Sequence, residues 1–427
     1  MTRRRLDQTH AQVPESMMPT MRLLLLVLIF SGQLKSQQNL DGDVTAILNN
    51  TRRKIMAAMA ALPKYMCTET IDRYAYLPKD ESASFRCAEL KDGESSSVDR
   101  RMSTSDRLRL DVAVSGDKEM YSWAGEEHFS DRSLHALVQT GATSTGTFAS
   151  FLGSIFGTAA ATFTYNGDMD ASGHVVAEFG FQVPVGKSDY SIGKGLAHSI
   201  VGYSGTFWVD PSTFDLVRLS ITANHLAEEL EACVTNTTLE YDHIQLNHAD
   251  YLIPKDVHWN VVNMDGSEST SRTVFSACHE FRGEATLRFD VAPDAGQVAA
   301  SKTMIVVPAD AMFSLILLDP ISTATAAAGD LFRAKLAAIR TKRGWISIPK
   351  DAIVTGRIVR IERQYESKSQ SMVLGLRPET IQVHGVSQPF RARQDSGVGF
   401  LYFKHVTDTY VIRKGLRIEG TTAATQQ

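Results

Sequence analysis

Four cysteines are the residues of this chain whose type most directly predicts covalent chemistry. They are Cys67, Cys87, Cys233 and Cys278. An even number favours two disulfides in an oxidising compartment, and four cysteines allow three connectivities. We expect the pairs Cys67–Cys87 and Cys233–Cys278, because each pair falls within one compositional block. Free buried thiols are the alternative, whereas the spacing lacks the C-x-x-C or cysteine–histidine intervals of a zinc site.

Two short motifs are similar to nucleotide-binding and catalytic signatures but depart from them. Residues 180–188 (GFQVPVGKS) place five residues between Gly180 and Gly186, whereas a phosphate loop requires four. Ser191 and Lys194 have the S-x-x-K spacing of serine acyltransferases, but the companion S-D-N and K-T-G motifs are missing. Neither motif predicts an active site.

The histidines form no recognisable catalytic or metal-binding pattern. His243 and His248 are five residues apart, and an odd spacing on a strand places side chains on opposite faces. Asp242 directly precedes His243, so the two side chains of this pair also point apart on a strand. We therefore predict no catalytic residues, no metal site and no cofactor, and expect that the protein is not an enzyme.

Aromatic residues supply the one candidate binding surface in the sequence. They crowd the region between residues 203 and 289, where an open antiparallel sheet would present some of them on its concave face. Such a face can hold an acyl chain or an apolar peptide. Simple packing in a β core is the alternative, because strands favour aromatic residues. The candidate apolar trough consists of Tyr203, Phe207, Trp208, Phe214 and Trp259.

A hydrophobic run near the start of the chain predicts an export signal. Arg22 precedes the eight apolar residues Leu23–Phe30, and small and polar residues follow them. Eight helical residues span about 12 Å, too little for the roughly 30 Å of a bilayer core. We expect residues 1–36 to be a signal peptide whose true start is Met18 or Met21; the buried end of a core helix is the alternative. No later segment is long enough for a transmembrane helix in the mature chain.

Hydrophobic periodicity predicts one N-terminal helix followed by many strands. Residues 43–62 repeat apolar residues at three- and four-residue steps, and Pro63 ends the pattern. The period then becomes two, as in residues 107–114 and 118–124, which flank a turn at 115–117. Short, regularly spaced strands predict a mainly β fold of the α+β class. We expect a curved antiparallel sheet that wraps a few helices, followed by a small β-barrel or sandwich.

Composition predicts how the mature chain is divided. Residues 37–290 contain the helix and the first set of strands, and residues 291–302 are small and polar, as in a linker. Residues 303–415 form a second β block, and residues 416–427 are expected to be a disordered tail. The formal net charge of −4 argues against nucleic acid as a partner, since that usually requires a basic surface.

Residues 43–290 resemble a known envelope superfamily. The segments that carry the resemblance are LPKYMCTETIDRY, YSGTFWVDPSTFDLVRLSI and FSACHEFRGEATLRF, at residues 62–74, 203–221 and 275–289. They are similar to uncharacterised exported bacterial proteins and to the central hairpin of the outer-membrane lipoprotein carrier superfamily. The resemblance implies a half-barrel that wraps helices and can hold acyl chains. It transfers no individual ligand-binding residue, because that superfamily has no such motif.

The second block resembles a different family. Residues 306–323, 326–336 and 346–362 look like the outer-membrane-side β-domain of type IV secretion and conjugation scaffold proteins. Asp310 and Asp351 stand where that family usually has a turn glycine, and aspartate can adopt the left-handed backbone conformation at some cost. The proline-rich spacer and inner-membrane helix of true secretion scaffolds are not recognisable, so an envelope-bound β module fits better than a secretion channel.

These observations support three functional hypotheses. The leading one is a non-enzymatic periplasmic or outer-membrane-associated protein that binds a hydrophobic ligand, such as a lipid or an acylated protein, or an envelope partner protein. The second is a structural interaction module of an envelope assembly, and the third is a secreted hydrolase without a recognisable motif. A wide apolar trough under the sheet would favour the carrier, and a filled core would favour the module.

Overall fold

The described residues of the computed structural model cover most of both predicted blocks. They are residues 42–80, 86–87, 98–116, 118–126, 129, 134–138, 140–146, 148–171, 173–194, 197–224, 226–281, 307–393 and 400–423. The predicted signal peptide at 1–36 and linker at 291–302 lie outside them and stay predictions. The chain divides into two compact units, residues 1–51 and residues 52–427.

Strands dominate the described residues, which confirms the predicted fold class. Their bounds are β1 (Tyr65–Pro78), β2 (Arg100–Ser115), β3 (Lys118–Trp123), β4 (Thr162–Ala171), β5 (His174–Val183), β6 (Ser191–Lys194), β7 (Ala197–Ile200), β8 (Tyr203–Val209), β9 (Leu216–Asn224), β10 (Ala232–Leu246), β11 (Ala249–Asn263), β12 (Glu268–Glu280), β13 (Met312–Leu317), β14 (Ile321–Ser322), β15 (Leu331–Thr341), β16 (Gly344–Trp345), β17 (Ile353–Tyr365), β18 (Gln370–Val383), β19 (Val386–Pro389), β20 (Phe400–Lys404), β21 (Val411–Ile412) and β22 (Arg417–Thr421).

Helical structure is short apart from one N-terminal helix. Helix α1 covers residues 42–61, close to the predicted 43–62. The other helical segments are α2 (Leu134–Leu137), α3 (Ser150–Leu152), a π-helical turn (Gly153–Gly157) and two 3-10 turns (Val185–Lys187 and Glu228–Leu230).

Ten strands of the first block form one antiparallel sheet, and β6 and β7 form a separate hairpin. The strands of the sheet lie in the order β4, β5, β8, β9, β10, β11, β12, β1, β2 and β3. Buried and partly exposed residues alternate along β1 from Tyr65 to Arg73, as expected for a strand with one face packed against other elements. Strand β1 pairs on one side with β12, the last strand of the block, and on the other side with β2.

The second block is a closed barrel. Its strands pair in the order β22, β13, β15, β17, β18 and β19. Arg393 N donates to Thr421 O and Ala423 N donates to Arg391 O, both at 2.8 Å, which joins the segment after β19 to β22. Buried aliphatic and aromatic residues of these strands fill the interior. Closure removes the free sheet edges at which strands of other chains can pair.

The prediction of a disordered tail at residues 416–427 is partly wrong. Residues 417–421 form β22, which pairs with β13, and Thr422 is fully buried. Thr422 Oγ1 donates to Pro308 O at 2.6 Å and accepts from Ala311 N at 2.9 Å. The tail composition is polar, but the barrel needs this strand for closure. Residues 424–427 lie outside the described part of the chain.

The turn aspartates of the barrel behave differently from each other. Asp310 adopts the left-handed conformation, with φ 50°, as the comparison with the glycine of the resembling family led us to expect. Asp351 instead accepts a hydrogen bond from His384 N at 2.8 Å and lies 3.1 Å from His384 Nδ1. The hydrogen bond from His384 to the Asp351 side chain thus stabilises the turn, where the resembling family relies on the backbone flexibility of glycine.

Strand β2 joins the two predicted blocks. Its residues 104–106 pair with β17 of the barrel, and residues 110–115 pair with β3. Between these segments Ala328 N donates to Arg107 O at 2.8 Å, and Arg109 N donates to Ala328 O at 2.7 Å. Gly329 is required here, because its φ is 112° and a Cβ would lie 2.0 Å from the Arg109 carbonyl oxygen. The two blocks are therefore hydrogen-bonded along one strand.

Arg357 lies buried at this junction. Its exposure is 2%, and its Nη1 donates to the carbonyl oxygens of Gly329 at 2.5 Å and Ala124 at 2.7 Å. Its Nε lies 3.3 Å from Glu379 and 3.7 Å from Glu126. One guanidinium group on β17 thus contacts backbone and carboxylate groups of both blocks.

The predicted cysteine pairing is wrong, although all four cysteines form disulfides. The pairs are Cys67–Cys278 and Cys87–Cys233, separated by 211 and 146 residues. Cys67 and Cys278 lie on neighbouring strands, at a bulge where Ala277 adopts φ 51°. The pairing of the first and last strands decides the connectivity, and closeness in sequence does not reveal it. Two disulfides fit an oxidising compartment such as the cell envelope.

Candidate functional site

Two of the five predicted trough residues lie in a packed aromatic cluster. Phe207 is fully buried, and its ring centroid lies 5.0 Å from that of Phe156 and 5.2 Å from that of Phe179. Tyr203 is also buried and lies 5.7 Å from Tyr190 and 6.0 Å from Phe151. Edge-to-face and stacked contacts at these distances are typical of a filled core. Phe151 comes from α3 and Phe156 from the π-helical turn that follows it, and both pack against this part of the sheet.

The other three predicted trough residues lie elsewhere. Trp208 follows Phe207 on β8 and points to the other face, where its Nε1 donates to Glu178 at 3.1 Å and Arg218 lies over its ring. Phe214 lies in the turn between β8 and β9, with φ 61°. Trp259 lies on β11 and lines an open groove together with Tyr74. The structure therefore does not bring the five residues together.

The space between the sheet and the last turns of α1 is almost filled. A cavity of about 20 Å³ remains there, bordered by residues such as Ile55, Met59 and Phe148. This volume holds about one water molecule and cannot accept an acyl chain.

A much larger cavity lies at the junction of the sheet and the barrel. Its volume is about 450 Å³, within the range of small-molecule sites. Leu108, Trp123, Leu137, Val138 and Thr140 line one side. Strands β17, β18, β20 and β22 of the barrel line the other side. We call this space the junction cavity.

The junction cavity combines apolar walls with arginines. Four arginines and two carboxylates border it, an excess of two formal positive charges. Arg360 donates to Glu362 at 2.9 Å through Nη2, and Arg377 donates to Glu379 at 2.8 Å through Nη2. For both arginines, Nη1 has no protein acceptor among the described residues. These two guanidinium groups can therefore still donate hydrogen bonds to a polar or anionic group in the cavity.

Arg73 has a structural task at the edge of the cavity. Its Nε donates to Asp106 at 2.8 Å, and its Nη1 donates to Thr140 O at 2.8 Å and Ala142 O at 3.3 Å. The side chains of Arg73 and Asp106 are 7% and 13% exposed. The buried ion pair thus holds the loop that forms one wall. A Cβ on Gly141 would lie 2.9 Å from this guanidinium group, so the loop packs closely on it.

Glu69 is a second buried charge-bearing residue on the inner face of β1. Burial raises its pKa well above the ordinary value of 4.5, and the nearby Glu119 raises it further. Glu119 itself accepts hydrogen bonds from Tyr121 Oη at 2.5 Å and Gly146 N at 2.7 Å. Glu69 therefore holds its proton in the folded protein at pH values where an exposed glutamate is ionised.

We expect Glu69→Gln to stabilise the protein at neutral and alkaline pH. Above pH 4.5 the unfolded chain releases the Glu69 proton while the folded state keeps it, so stability falls as pH rises towards the raised pKa. Glutamine removes this penalty. Urea unfolding should show a higher free energy of unfolding for Glu69→Gln than for the natural sequence at about pH 8, and no difference near pH 4. The exposed control Glu229→Gln should show no such gain, and a loss of stability for Glu69→Gln at pH 8 would contradict this explanation.

The histidine singled out in the sequence lies in a surface ion-pair cluster. His243 Nδ1 lies 2.6 Å from Asp250, and its Nε2 lies 3.5 Å from Asp215. Asp215 also pairs with Lys54 at 2.8 Å. Asp242 pairs with Lys255 instead, at 3.0 Å. Among the described residues no serine, threonine or cysteine side chain is hydrogen-bonded to His243, so the cluster lacks a nucleophile.

The remaining motif residues also have structural contacts. Ser191 and Lys194 lie on the two-stranded hairpin β6–β7, where Lys194 pairs with Glu231 at 2.5 Å. The described residues contain no group of three or more metal-ligating side chains that could hold a metal ion. None of the helices in the described part of the chain is both long and apolar enough to cross a membrane.

Comparisons with known proteins give weak structural likeness only. No protein-family profile and no curated protein matches the chain. One similar solved structure is described as an outer membrane lipoprotein-sorting protein domain from Vibrio parahaemolyticus, at 10% identity and a TM-score of 0.25, covering 58% of this chain and 93% of that one. Another is a DUF1329 family protein from Desulfovibrio piger, at 11% identity and a TM-score of 0.25, covering 57% and 95%. At these TM-scores neither likeness identifies a family or an activity.

The residues of the junction cavity carry no strong signal in the sequence. Leu137 and Thr140 lie more than two hundred residues before Arg360 and Arg377, and no catalytic or ligand-binding motif marks any of the four. A weak signal existed in the barrel strands, where arginines interrupt otherwise apolar segments such as residues 353–361. Buried or half-buried arginines on strands are uncommon without a partner, and they mark positions where two elements or a ligand meet.

Proposed function

We propose that this protein is a non-enzymatic envelope protein that binds an amphiphile, a lipid or an acyl chain, in the junction cavity. The observation that carries the proposal is the cavity itself, about 450 Å³ in volume, with apolar walls and two arginines that keep unused donors. An apolar chain fits beside Leu108 and Trp123, while Arg360 and Arg377 can bind its polar or anionic end. The two disulfides support the envelope as the compartment.

The proposal moves the ligand away from the predicted aromatic trough. Phe207 and Tyr203 contact the protein's own aromatic side chains, and only about 20 Å³ remains empty under the nearby helix. A ligand in the trough would have to displace these side chains. Loss of the core packing of one large aromatic side chain costs about 3–5 kcal/mol. The junction cavity needs no such displacement.

Titration with a dansyl-labelled fatty acid tests the proposal. We expect saturable binding with one ligand per chain for the natural sequence. Thr140→Trp places an indole ring in the cavity wall, at an exposed position that tolerates a large side chain, and should weaken binding by about tenfold or more. Thr162→Trp, at an exposed position on the edge strand β4, is the matched control and should bind like the natural sequence.

The same titration separates the proposal from its alternative. The alternative is a structural interaction module. A wide apolar trough under the sheet would favour a carrier, whereas the filled aromatic core that is observed favours the module. Such a module would not bind the dansyl-labelled fatty acid. Absence of saturable binding, or equal binding by Thr140→Trp and the natural sequence, would therefore reject the amphiphile site and leave the module.

A further inference from the structure

A short hairpin on the barrel exposes a tryptophan to solvent. We call residues 340–345, which connect β15 to β16, the Trp345 hairpin. Arg340 pairs with Trp345 and Thr341 pairs with Gly344. Trp345 is 71% exposed, whereas tryptophan side chains are highly buried on average. An exposed tryptophan therefore calls for an explanation outside the packing of the barrel.

The Trp345 hairpin is also strongly basic. Arg340, Lys342 and Arg343 are exposed, and the hairpin contains no acidic residue. None of these three side chains has a carboxylate partner among the described residues. The Arg340 guanidinium lies 5.7 Å from the centre of the Trp345 ring, a cation–π contact. The hairpin thus presents an exposed aromatic ring, with Arg340 over it, and three exposed cations that have no carboxylate partner in the part of the chain that the structure describes.

The hairpin is held in place by its own contacts. Thr341 Oγ1 donates to Gly344 O at 3.1 Å and accepts from Arg343 N at 3.1 Å. Ile346 N donates to Ile339 O at 3.0 Å, and Ile346 packs against the barrel core. Side chains at the tip are therefore presented on a fixed base. Removing the exposed indole ring should not unfold this base.

We propose that the Trp345 hairpin docks the protein on the surface of an anionic lipid bilayer. Tryptophan favours the interface between water and membrane, where an apolar ring and a polar N–H group both find partners. Each basic side chain near an anionic bilayer strengthens binding by about fivefold, so three together contribute about a hundredfold. The positive charge of the tip complements lipid phosphate groups, so the attraction comes from the hairpin and not from the chain as a whole, whose formal net charge is −4.

The position of the hairpin connects it to the junction cavity. Trp345, Arg340, Met312 and Thr421 lie side by side on four neighbouring strands, and Thr421 borders the cavity. Three strand spacings amount to about 14 Å. Met312 is 58% exposed and extends the apolar part of the surface. Docking through the hairpin would therefore hold the cavity close to the bilayer, although docking itself does not require an occupied cavity.

Co-sedimentation of the full chain with lipid vesicles tests the proposal. We expect the protein to bind phosphatidylcholine vesicles that contain phosphatidylglycerol at least about tenfold more strongly than vesicles of phosphatidylcholine alone. Trp345→Ala should weaken binding by about tenfold, and the triple variant R340Q/K342Q/R343Q by about a hundredfold. Tyr402→Ala removes another exposed aromatic side chain, 70% exposed on β20, and should bind like the natural sequence.

Three results would overturn membrane docking. One is equal sedimentation with anionic and neutral vesicles, or none with either. The second is a Trp345→Ala variant that binds as well as the natural sequence. The third is binding of a labelled oligonucleotide in place of vesicles, which would favour a nucleic-acid surface. Circular dichroism of each variant separates loss of docking from loss of folding, and fatty-acid titration of the triple variant should remain normal.

Discussion

Arg357→Met is expected to lower the free energy of unfolding by about 3–5 kcal/mol. The guanidinium group is 2% exposed and donates to two carbonyl oxygens, those of Ala124 and Gly329. Methionine fills a similar volume but leaves these oxygens without their donor. It also removes one of the two cations that Glu379 and Glu126 share, the other being Arg377. Urea denaturation followed by circular dichroism measures the change.

The matched control for this variant is an exposed ion pair on the same barrel. Arg333 pairs with Asp319 at 2.9 Å, and the two side chains are 62% and 51% exposed. We expect Arg333→Met to leave the unfolding midpoint unchanged within error, since solvent screens exposed pairs. If Arg357→Met were as stable as the natural sequence, the buried junction between sheet and barrel would not exist in solution.

Loss of the Cys67–Cys278 disulfide is expected to have an effect of similar size. A bridge between residues 211 positions apart restricts the unfolded chain by about 5 kcal/mol in the chain-entropy relation, and measured losses are typically about 2–5 kcal/mol. The double variant C67S/C278S should therefore unfold at a much lower urea concentration than the natural sequence, provided that the remaining bridge stays oxidised.

Thiol labelling tests the connectivity itself. After unfolding in urea, the thiol of Cys278→Ser that reacts with maleimide should belong to Cys67, and that of Cys87→Ser should belong to Cys233. Peptide mapping under non-reducing conditions identifies the labelled fragment. Recovery of a fragment in which Cys67 is bonded to Cys87 would show that the strand pairing β1–β12 is incorrect.

Local features of the fold could be predicted from the sequence because neighbouring residues determine them. The apolar spacing and Pro63 indicate a helix close to the observed residues 42–61. The Asp-Pro turn at 210–211 separates β8 from β9, and Phe207 and Leu216 are buried on these strands as their alternation predicts. Gly116 has φ 65° in the predicted turn between β2 and β3.

Long-range features could not be predicted, because they depend on which strands meet. Cys67 and Cys278 face each other only after β1 pairs with β12. β2 pairs with β17 across more than two hundred residues of chain, and this pairing creates the junction cavity and the environment of Arg357. The aromatic residues around 203–214 gave a strong apolar signal, but composition alone does not distinguish an open trough from one filled by Phe151 and Phe156.

Photo-crosslinking can locate the ligand within the protein. A fatty acid that carries a diazirine on its chain would be bound to the full protein, irradiated and located by peptide mass spectrometry. We predict that labels concentrate on Leu137, Val138 and Thr140 and on residues 375–378, which border the junction cavity from opposite sides. Labels concentrated on residues 151–163 and 203–207 would instead place the ligand in the aromatic cluster and would contradict binding in the junction cavity.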